Sequence, residues 1–137
     1  MTVMVGRALL AWLALIAVET VHGVLRNLFL VPTVGDLWSR QIGVVIGSAL
    51  VLATALVFIR WIRPTSVRAT LWIGALWLVL TLVFEFSLGR ALGRSWDQLL
   101  ADYDLSRGGY LSFGMVLLAL APWIAAKMRA AGPDSSG

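Results

Sequence analysis

The sequence predicts an all-α integral membrane protein: an antiparallel bundle of four transmembrane helices, with a short interfacial helix between the third and the fourth. Two observations lead to this fold class. The 137 residues are 60% hydrophobic and only 13% charged, against roughly 45–50% and about 25% in soluble domains. The apolar residues also fall into four long stretches, and a membrane helix needs about 20 such residues. An ordinary soluble domain and a disordered chain are therefore excluded.

The first two helices are bounded by clear start and stop signals. The first is predicted over residues 8–30, and Pro32 is expected to end it, because proline removes a backbone donor and disfavours helix in the residue before it. Asp36 is the predicted N-cap of the second helix, which runs over residues 37–61. Thr33, Gly35 and Asp36 are predicted to form a short turn between the two helices.

The remaining helices follow the same kind of signal. The third is predicted over residues 67–88, after a capping serine, Ser66, and Gly89 and Gly93 are expected to end it. A capping box at Ser95–Gln98 starts the short interfacial helix, residues 96–103. The fourth spanning helix is predicted over residues 110–128.

Residues 1–137 are predicted to form a single transmembrane domain. Because the loops are short, sequential helices are expected to be antiparallel neighbours. Four spans place both termini on one side, and six of the eleven Lys and Arg residues fall on that side. The dense loop with Arg60, Arg63 and Arg68 favours a cytoplasmic location for both termini. The predicted location is the bacterial inner membrane, with a multi-pass topology.

Ionisable residues inside the spans are the main functional signal, since each costs about 2.5–3.5 kcal/mol at the bilayer centre. Glu19, His22 and Arg26 are spaced to share one face of the first helix. Arg40 lies one turn inside the start of the second helix, and Glu85 one turn inside the end of the third. Helix direction brings these residues into one leaflet. The sequence therefore predicts a polar funnel there.

Two functions fit such a funnel. In the first, it serves proton-linked transport or permeation of a small ion or solute, with Glu19 as proton or cation acceptor and His22 as relay. Arg26 and Arg40 set the field at the mouth and pair with Glu85. In the alternative, the same charges are interhelical ion pairs in a non-catalytic accessory subunit of a larger membrane complex. A water-filled funnel that reaches Glu19 favours transport, whereas a dry, paired Glu19 favours the structural role.

The rest of the bundle carries weaker signals. The half opposite the funnel is predicted to be an apolar core, built from Leu9, Leu13, Phe58, Leu71 and Ile124. Gly43 and Gly47 form a GxxxG step that lets another backbone approach closely, from a helix of the same chain or from a second copy in a homo-oligomer. Asp97 and Asp102 are interpreted as capping and solvating residues of the interfacial helix.

Three segments carry a family resemblance: E-T-V-H-G-V-L-R (Glu19–Arg26), F-E-F (Phe84–Phe86) and S-W-D-Q-L-L-A-D-Y-D (Ser95–Asp104). They resemble a group of small four-helix bacterial membrane proteins, and the resemblance covers most of the chain. It implies the fold but no activity. Small multidrug resistance transporters are similar in size, in helix number and in having a glutamate in the first helix. The glycine and aromatic pattern of their third helix is not evident around Gly74 and Trp77.

Several chemistries are disfavoured by the residue types. The chain has no cysteine, which excludes disulfides and thiol catalysis, and its one histidine cannot form a metal site alone. No HExxH, GxSxG or P-loop motif occurs, so no enzyme activity, cofactor or metal is predicted. The net charge of +4 comes from scattered residues, so no nucleic-acid partner is expected. The predicted partners are the lipid bilayer and either further copies of the chain or a larger membrane complex.

Overall fold

The computed structural model describes residues 2–130, and every regular element in that range is helical. The α-helices are α1 (Thr2–Leu25), α2 (Val31–Val34), α3 (Asp36–Ile62), α4 (Val67–Ala91), α5 (Trp96–Ala101) and α6 (Leu111–Ala130). A π-helical turn, Arg26–Leu30, joins α1 to α2, and a 3-10 turn, Leu105–Arg107, precedes α6. Four helices in this range are long and apolar enough to cross a membrane: Thr2–Val34, α3, α4 and α6. The all-helical prediction with four membrane-length helices is confirmed.

The first of these helices differs most from its predicted bounds. It begins at Thr2 and continues through Pro32 into α2, so the prediction that this proline ends the helix is wrong. Just before it, the Val31 amide donates to the Arg26 carbonyl, five residues back, which inserts a π turn. The proline then falls in the first turn of α2, where its missing N–H is tolerated. Gly35, at φ 87°, ends the helix instead.

Two predicted helix starts are confirmed by their caps. The Ser66 hydroxyl accepts a hydrogen bond from the Ala69 amide at 3.1 Å and starts α4. Ser95 and Gln98 form the complete capping box, with each side chain bonded to the other residue's backbone N–H, and start α5. Side-chain oxygens satisfy backbone donors that have no partner within the helix. The sequence therefore located these two starts through local chemistry alone.

Two other predicted boundaries are wrong. Asp36 is the first residue of α3 and not its cap, because its carboxylate turns to Arg40, whose Nε lies 3.1 Å from Asp36 Oδ2. Of the two glycines expected to end α4, Gly89 does not: the helix continues past it to Ala91, and the turn follows at Gly93, which has φ 87°. A Cβ at Gly89 would overlap the side chain of Leu99. This glycine therefore makes room for α5 and does not break α4.

The packing order of the helices differs from their order in the chain. α3 packs on α1 and on α6, and α6 packs on α4. α3 and α4 touch at isolated positions at most, although only residues 63–66 join them. The expectation that all sequential helices are neighbours is therefore wrong for this pair. The reason lies at Gly74, where a Cβ would overlap the carbonyl of Ala119: α6 approaches α4 so closely that it takes the place beside it.

Hydrogen bonds gather three helix termini at one end of the molecule. Arg26, just after α1, donates to the Ser39 hydroxyl in the first turn of α3 at 3.1 Å. Gln41, also near the start of α3, donates to the carbonyl of Gly108 ahead of α6 at 3.0 Å. The end of α1 and the starts of α3 and α6 therefore lie together. We call this the mouth end.

The hydrophobic core lies away from the mouth end. Its buried members are mostly small or medium-sized: Ala8, Ala11, Leu15, Val51, Ala55, Ile59, Ile62, Ile73, Trp77, Leu118, Ala121 and Ala125. Trp77 is fully buried, and its indole N–H donates to the Ala8 carbonyl at 2.9 Å. This bond joins α4 to α1 across the core. The small residues bring the helices close together, as they do at helix interfaces in membranes.

The predicted composition of this core is largely wrong. Leu9, Leu13 and Leu71 are 39%, 56% and 44% exposed, so their side chains point away from the other helices. Phe58 is partly buried and packs against the core, and Ile124 is partly buried as well. The physical reason is that these helices are apolar on every face, so an apolar residue does not mark the inner face. Small residues are the better marker.

Candidate functional site

A cavity of about 230 Å³ lies between α1, α3, α4 and α6. Its lining includes all five polar residues that the sequence singles out, namely Glu19, His22, Arg26, Arg40 and Glu85. The inner part of the wall is apolar and is shared with the core at Leu15, Val51 and Leu118. The outer part reaches Gly108 and Gly109, ahead of α6. The cavity thus extends from the apolar core to the loops at the mouth end.

Of the three polar residues that α1 and the turn after it contribute, Glu19 lies farthest from the mouth end, and it has few partners. His22 follows one helical turn later, and its Nδ1 lies 3.6 Å from Glu19 Oε2. No lysine or arginine of residues 2–130 comes within 4 Å of the carboxylate. The second oxygen, Oε1, is buried and accepts no hydrogen bond from these residues. A buried acceptor without a partner is costly, so Glu19 has capacity for a proton or a ligand.

Gly43 and Gly47 of α3 make room for the charged side chains of α1. A Cβ at Gly47 would lie 3.1 Å from Glu19 Oε2 and 3.5 Å from His22 Cε1. A Cβ at Gly43 would lie 2.8 Å from Arg26 Cδ, which is closer than real Cβ atoms approach. Both glycines therefore face side chains of their own chain and not a second copy. They admit polar side chains at positions where the GxxxG pattern indicated the close approach of another backbone.

The predicted pairing of the arginines with Glu85 is wrong. Arg26 donates to the Ser39 hydroxyl, and Arg40 forms ion pairs with Asp36 and Asp102. Within the described chain, Glu85 has no basic group within 4 Å. Arg26 is thus bound to α3, and Arg40 to its own helix and to the end of α5. The sequence thus predicted correctly which charged residues line the cavity, but not which residues they pair with.

Asp102, at the end of α5, is the site residue that the sequence interpretation missed. Its side chain is only 13% exposed, and it accepts from both Arg40 and Arg94, the latter at 3.0 Å. It is therefore not a solvating residue. The signal was present in the spacing: Asp102 follows Leu99 by three residues and shares its face of the short helix, and Leu99 is buried. A carboxylate on a buried face needs a cationic partner.

Tyr103 lies beside this ion-pair cluster. Its ring stacks on Phe86 with centroids 5.6 Å apart, and its hydroxyl is buried without a hydrogen-bond partner among residues 2–130. Burial raises the pKa of the Tyr103 phenol, and the negative charges of Glu85 and Asp102 raise it further. The phenol is therefore neutral across the physiological pH range and keeps its proton near Glu85.

The charges around the cavity fall into two groups. Arg40, Arg94 and Asp102 form a paired cluster near the mouth. Glu19, Arg26 and Glu85 stand apart from it, since none has an oppositely charged Arg, Lys, Asp or Glu within 4 Å in the described range. In a low-dielectric surrounding such single charges act strongly on any ion or proton that enters.

No protein-family model, curated protein or solved structure matches this chain.

Proposed function

We propose that the chain is a small multi-pass membrane protein of the bacterial inner membrane that carries a small ion or solute in a proton-linked manner. It would form an antiparallel bundle of four transmembrane helices around the polar funnel, with α5 in the membrane interface. The four membrane-length helices support its place in the bilayer. Assembly with further copies of the chain is part of the proposal.

One observation carries the functional proposal. Glu19 lines a cavity of about 230 Å³, no arginine or lysine of residues 2–130 pairs with it, and its Oε1 has no partner. In an accessory subunit held by interhelical ion pairs, a buried carboxylate should be paired, because an unpaired one destabilises the fold by about 3–5 kcal/mol. An open cavity that reaches an unpaired carboxylate is what a proton-linked carrier requires.

The residues have distinct roles in this mechanism. Glu19 binds the proton or the cationic group, and His22, 3.6 Å away, passes protons to it. Glu85 adds a second carboxylate to the cavity from α4. Arg26 and Arg40 set the electrostatic potential at the mouth, so that ions are selected before they reach Glu19. Transport then requires that the apolar half open in turn.

The seam between α1 and α4 is the best place for such an opening. The hydrogen bond from Trp12 Nε1 to Thr81 Oγ1, 3.0 Å long, and the bond from Trp77 to Ala8 connect the two helices. The Trp12 ring also packs edge-on against Phe84 at 6.3 Å. By contrast, α6 is locked to α4 by backbone contact at Gly74. Since α1 also packs less extensively on α4 than on α3, we expect α1 to separate from α4 while it stays packed on α3.

The basic residues support one orientation in the membrane. Away from the mouth end, the Arg7 guanidinium lies 5.4 Å from the Trp61 ring, and Lys127 Nζ lies 5.6 Å from the Trp123 ring. Tryptophan beside a basic residue is typical of a membrane interface, and Arg90 beside Trp96, at 5.3 Å, marks the mouth end in the same way. The orientation therefore depends on the number of basic residues on each side, six against five. With the more basic side in the cytoplasm, both termini are cytoplasmic and the mouth opens towards the periplasm.

The first experiment compares proton-coupled flux through the wild type and Glu19→Gln in proteoliposomes. A pH-sensitive dye inside the vesicles reports proton movement when gradients of small cations, anions and zwitterions are imposed in turn. We expect flux for at least one class in the wild type and none in Glu19→Gln, because the amide keeps the shape but cannot take up the proton. Asp97→Asn is the matched control, since Asp97 is 79% exposed and lies outside the cavity.

Two results would overturn the proposal. Equal flux through Glu19→Gln and the wild type would show that the carboxylate is not the proton site. No flux from either protein across the whole panel would favour the accessory-subunit alternative, in which the cavity carries nothing.

A further inference from the structure

We propose that the transported solute is a compact zwitterion, a small amino acid whose carboxylate binds Arg26 and whose ammonium group binds Glu19. The inference rests on the proposed function and adds the substrate class. It comes from Arg26, the one cation of the cavity in the described residues that has no carboxylate partner, and from Glu19, one of the two carboxylates there without a basic partner besides histidine.

Arg26 and Glu19 are complementary charges that do not satisfy each other. The Arg26 guanidinium has five N–H donors, and the one side-chain acceptor it meets in residues 2–130 is the neutral hydroxyl of Ser39. Glu19 Oε1 accepts nothing from these residues. Both side chains line the same cavity. A ligand with one anionic and one cationic group would supply an acceptor for Arg26 and a donor for Glu19.

The distance between the two charges limits the size of the ligand. The Arg26 side chain crosses α3 at Gly43 and reaches Ser39, whereas Glu19 Oε2 lies beside Gly47. At 1.5 Å per residue, Gly43 and Ser39 lie about 6 Å and about 12 Å from Gly47 along α3, and the Arg26 side chain spans that interval from its Cδ to its guanidinium. Two hydrogen bonds of about 3 Å each leave roughly 6 Å or less along this axis for the charges of the ligand itself. An α-amino or β-amino acid meets that limit. An amino acid whose ammonium and carboxylate groups stand at opposite ends of a long chain does not.

The other charges of the cavity leave this pair free for a ligand. Arg40 and Arg94 both bond to Asp102, so their charges are partly compensated. Glu85 faces the cavity from α4 and makes the interior more negative, which favours an ammonium group. No further arginine or lysine of the described range lines the cavity, so Arg26 is the cation best placed to bind the carboxylate.

The same geometry explains how the amino acid would be linked to protons. Glu19 can hold a proton or accept from an ammonium group, but the protonated carboxyl no longer attracts the ammonium. Binding of the amino acid therefore displaces the proton from Glu19, and the two exchange. The apolar wall at Leu15, Met115 and Leu118 leaves room for a small aliphatic side chain.

The test measures binding to the full chain in lipid nanodiscs. The probes are L-alanine and L-leucine, each compared with the amine that lacks the carboxylate and with the carboxylate that lacks the ammonium group. We expect each amino acid to bind at least about tenfold more tightly than either analogue, the factor that 1.4 kcal/mol corresponds to. Arg26→Gln should abolish the preference over the amine, and Glu19→Gln the preference over the carboxylate. Asp97→Asn should keep both.

A second variant guards against loss of folding. Gly43→Ala keeps the charge of Arg26 but forces its side chain aside, because the new Cβ would lie 2.8 Å from Arg26 Cδ. It should weaken the preference over the amine while the helical circular dichroism remains unchanged. The same preference in Arg26→Gln and Gly43→Ala as in the wild type would overturn the inference.

The two proposals fail separately. If an amine alone drives proton-linked flux and amino acids bind no better than the amines, the zwitterion inference is wrong and the proposed transport stands. If amino acids bind with the expected dependence on Arg26 and Glu19 but no flux occurs, the binding site stands and the proposed transport is wrong.

Discussion

The core half and the cavity half of this small bundle use glycine for opposite purposes. In the core half, Gly74 lets the backbone of α6 touch α4 at Ala119, and the helices close on each other. In the cavity half, Gly43 and Gly47 face charged side chains of α1 and hold space for them. The comparison shows that a small residue has no fixed meaning in a membrane helix. What it faces, backbone or side chain, decides whether it closes the bundle or opens it.

The largest effect should come from Gly74→Ala. The new methyl group would overlap the Ala119 carbonyl, which belongs to a helix backbone and cannot turn aside. Overpacking of this kind destabilises proteins by about 1–3 kcal/mol, and we expect the upper end of that range. Thermal unfolding in detergent, followed by circular dichroism, should show a melting temperature lower by several degrees.

Gly47→Ala and Gly6→Ala are the matched controls for this prediction. At Gly47 the methyl group meets the mobile end of Glu19, and at Gly6 it meets no atom within 4 Å. Alanine also favours helix over glycine by about 1 kcal/mol, so neither variant should lose stability. Gly47→Ala should lose flux instead. If it unfolds as readily as Gly74→Ala, the contrast between the two halves is wrong.

A smaller effect is expected from Asp102→Asn in the cavity half. The change removes the negative charge between Arg40 and Arg94, both of which are partly exposed, so the expected loss of stability is about 1–2 kcal/mol after allowance for solvent screening. The two arginines then repel each other, and α5 should loosen from α4. Hydrogen exchange across residues 95–107 should become faster.

The exposed pair of Asp97 and Arg107 provides the control for the ion-pair prediction. Because both side chains are at least half exposed, Asp97→Asn should leave hydrogen exchange and stability almost unchanged. If neither variant loosens the segment, α5 is held by the packing of Leu99 on Gly89 and not by the ion pairs.

The smallest expected effect concerns Tyr103, and it appears only at alkaline pH. Because burial and nearby carboxylates raise the pKa of its phenol in the fold, the folded chain keeps this proton at pH values where the unfolded chain, with a tyrosine pKa of about 10, loses it. Stability from this group is therefore full below pH 10 and declines as the pH rises further. The chain has two tyrosines, so Tyr110→Phe isolates the Tyr103 signal in an ultraviolet absorbance titration. Phenolate formation near pH 10 in the folded protein would contradict the prediction.

The sequence predicted the parts of this molecule that depend on local chemistry. Membrane-length helices follow from long apolar stretches, and the starts of α4 and α5 follow from Ser66 and from the capping box at Ser95. The gathering of Glu19, Arg40 and Glu85 around one cavity also follows, because it depends only on helix direction and on depth in the bundle.

The partners of each residue could not be predicted in the same way. Which helix lies beside α4 depends on how closely backbones approach at Gly74, and the sequence does not show the residue opposite. For the same reason the predicted pairing of Arg40 with Glu85 is wrong, since Arg40 contacts Asp36 and Asp102. Leu9 and Leu13 were misplaced because lipid and core select the same apolar side chains.

The π turn at Arg26–Leu30 separates two demands on the first helix. Each residue of an α-helix advances the chain by about 100° around the axis, so one additional residue changes the direction in which everything beyond it points. Side chains cover two of the carbonyls around the turn: Asn27 donates to Gly23 and Thr33 to Phe29. The direction in which the charged side chains of α1 point is thereby independent of the direction in which the chain leaves the helix at Gly35. A one-residue deletion within 27–30 should rotate the loop and leave the spacing from Glu19 to Arg26 intact, so the two can diverge separately in evolution.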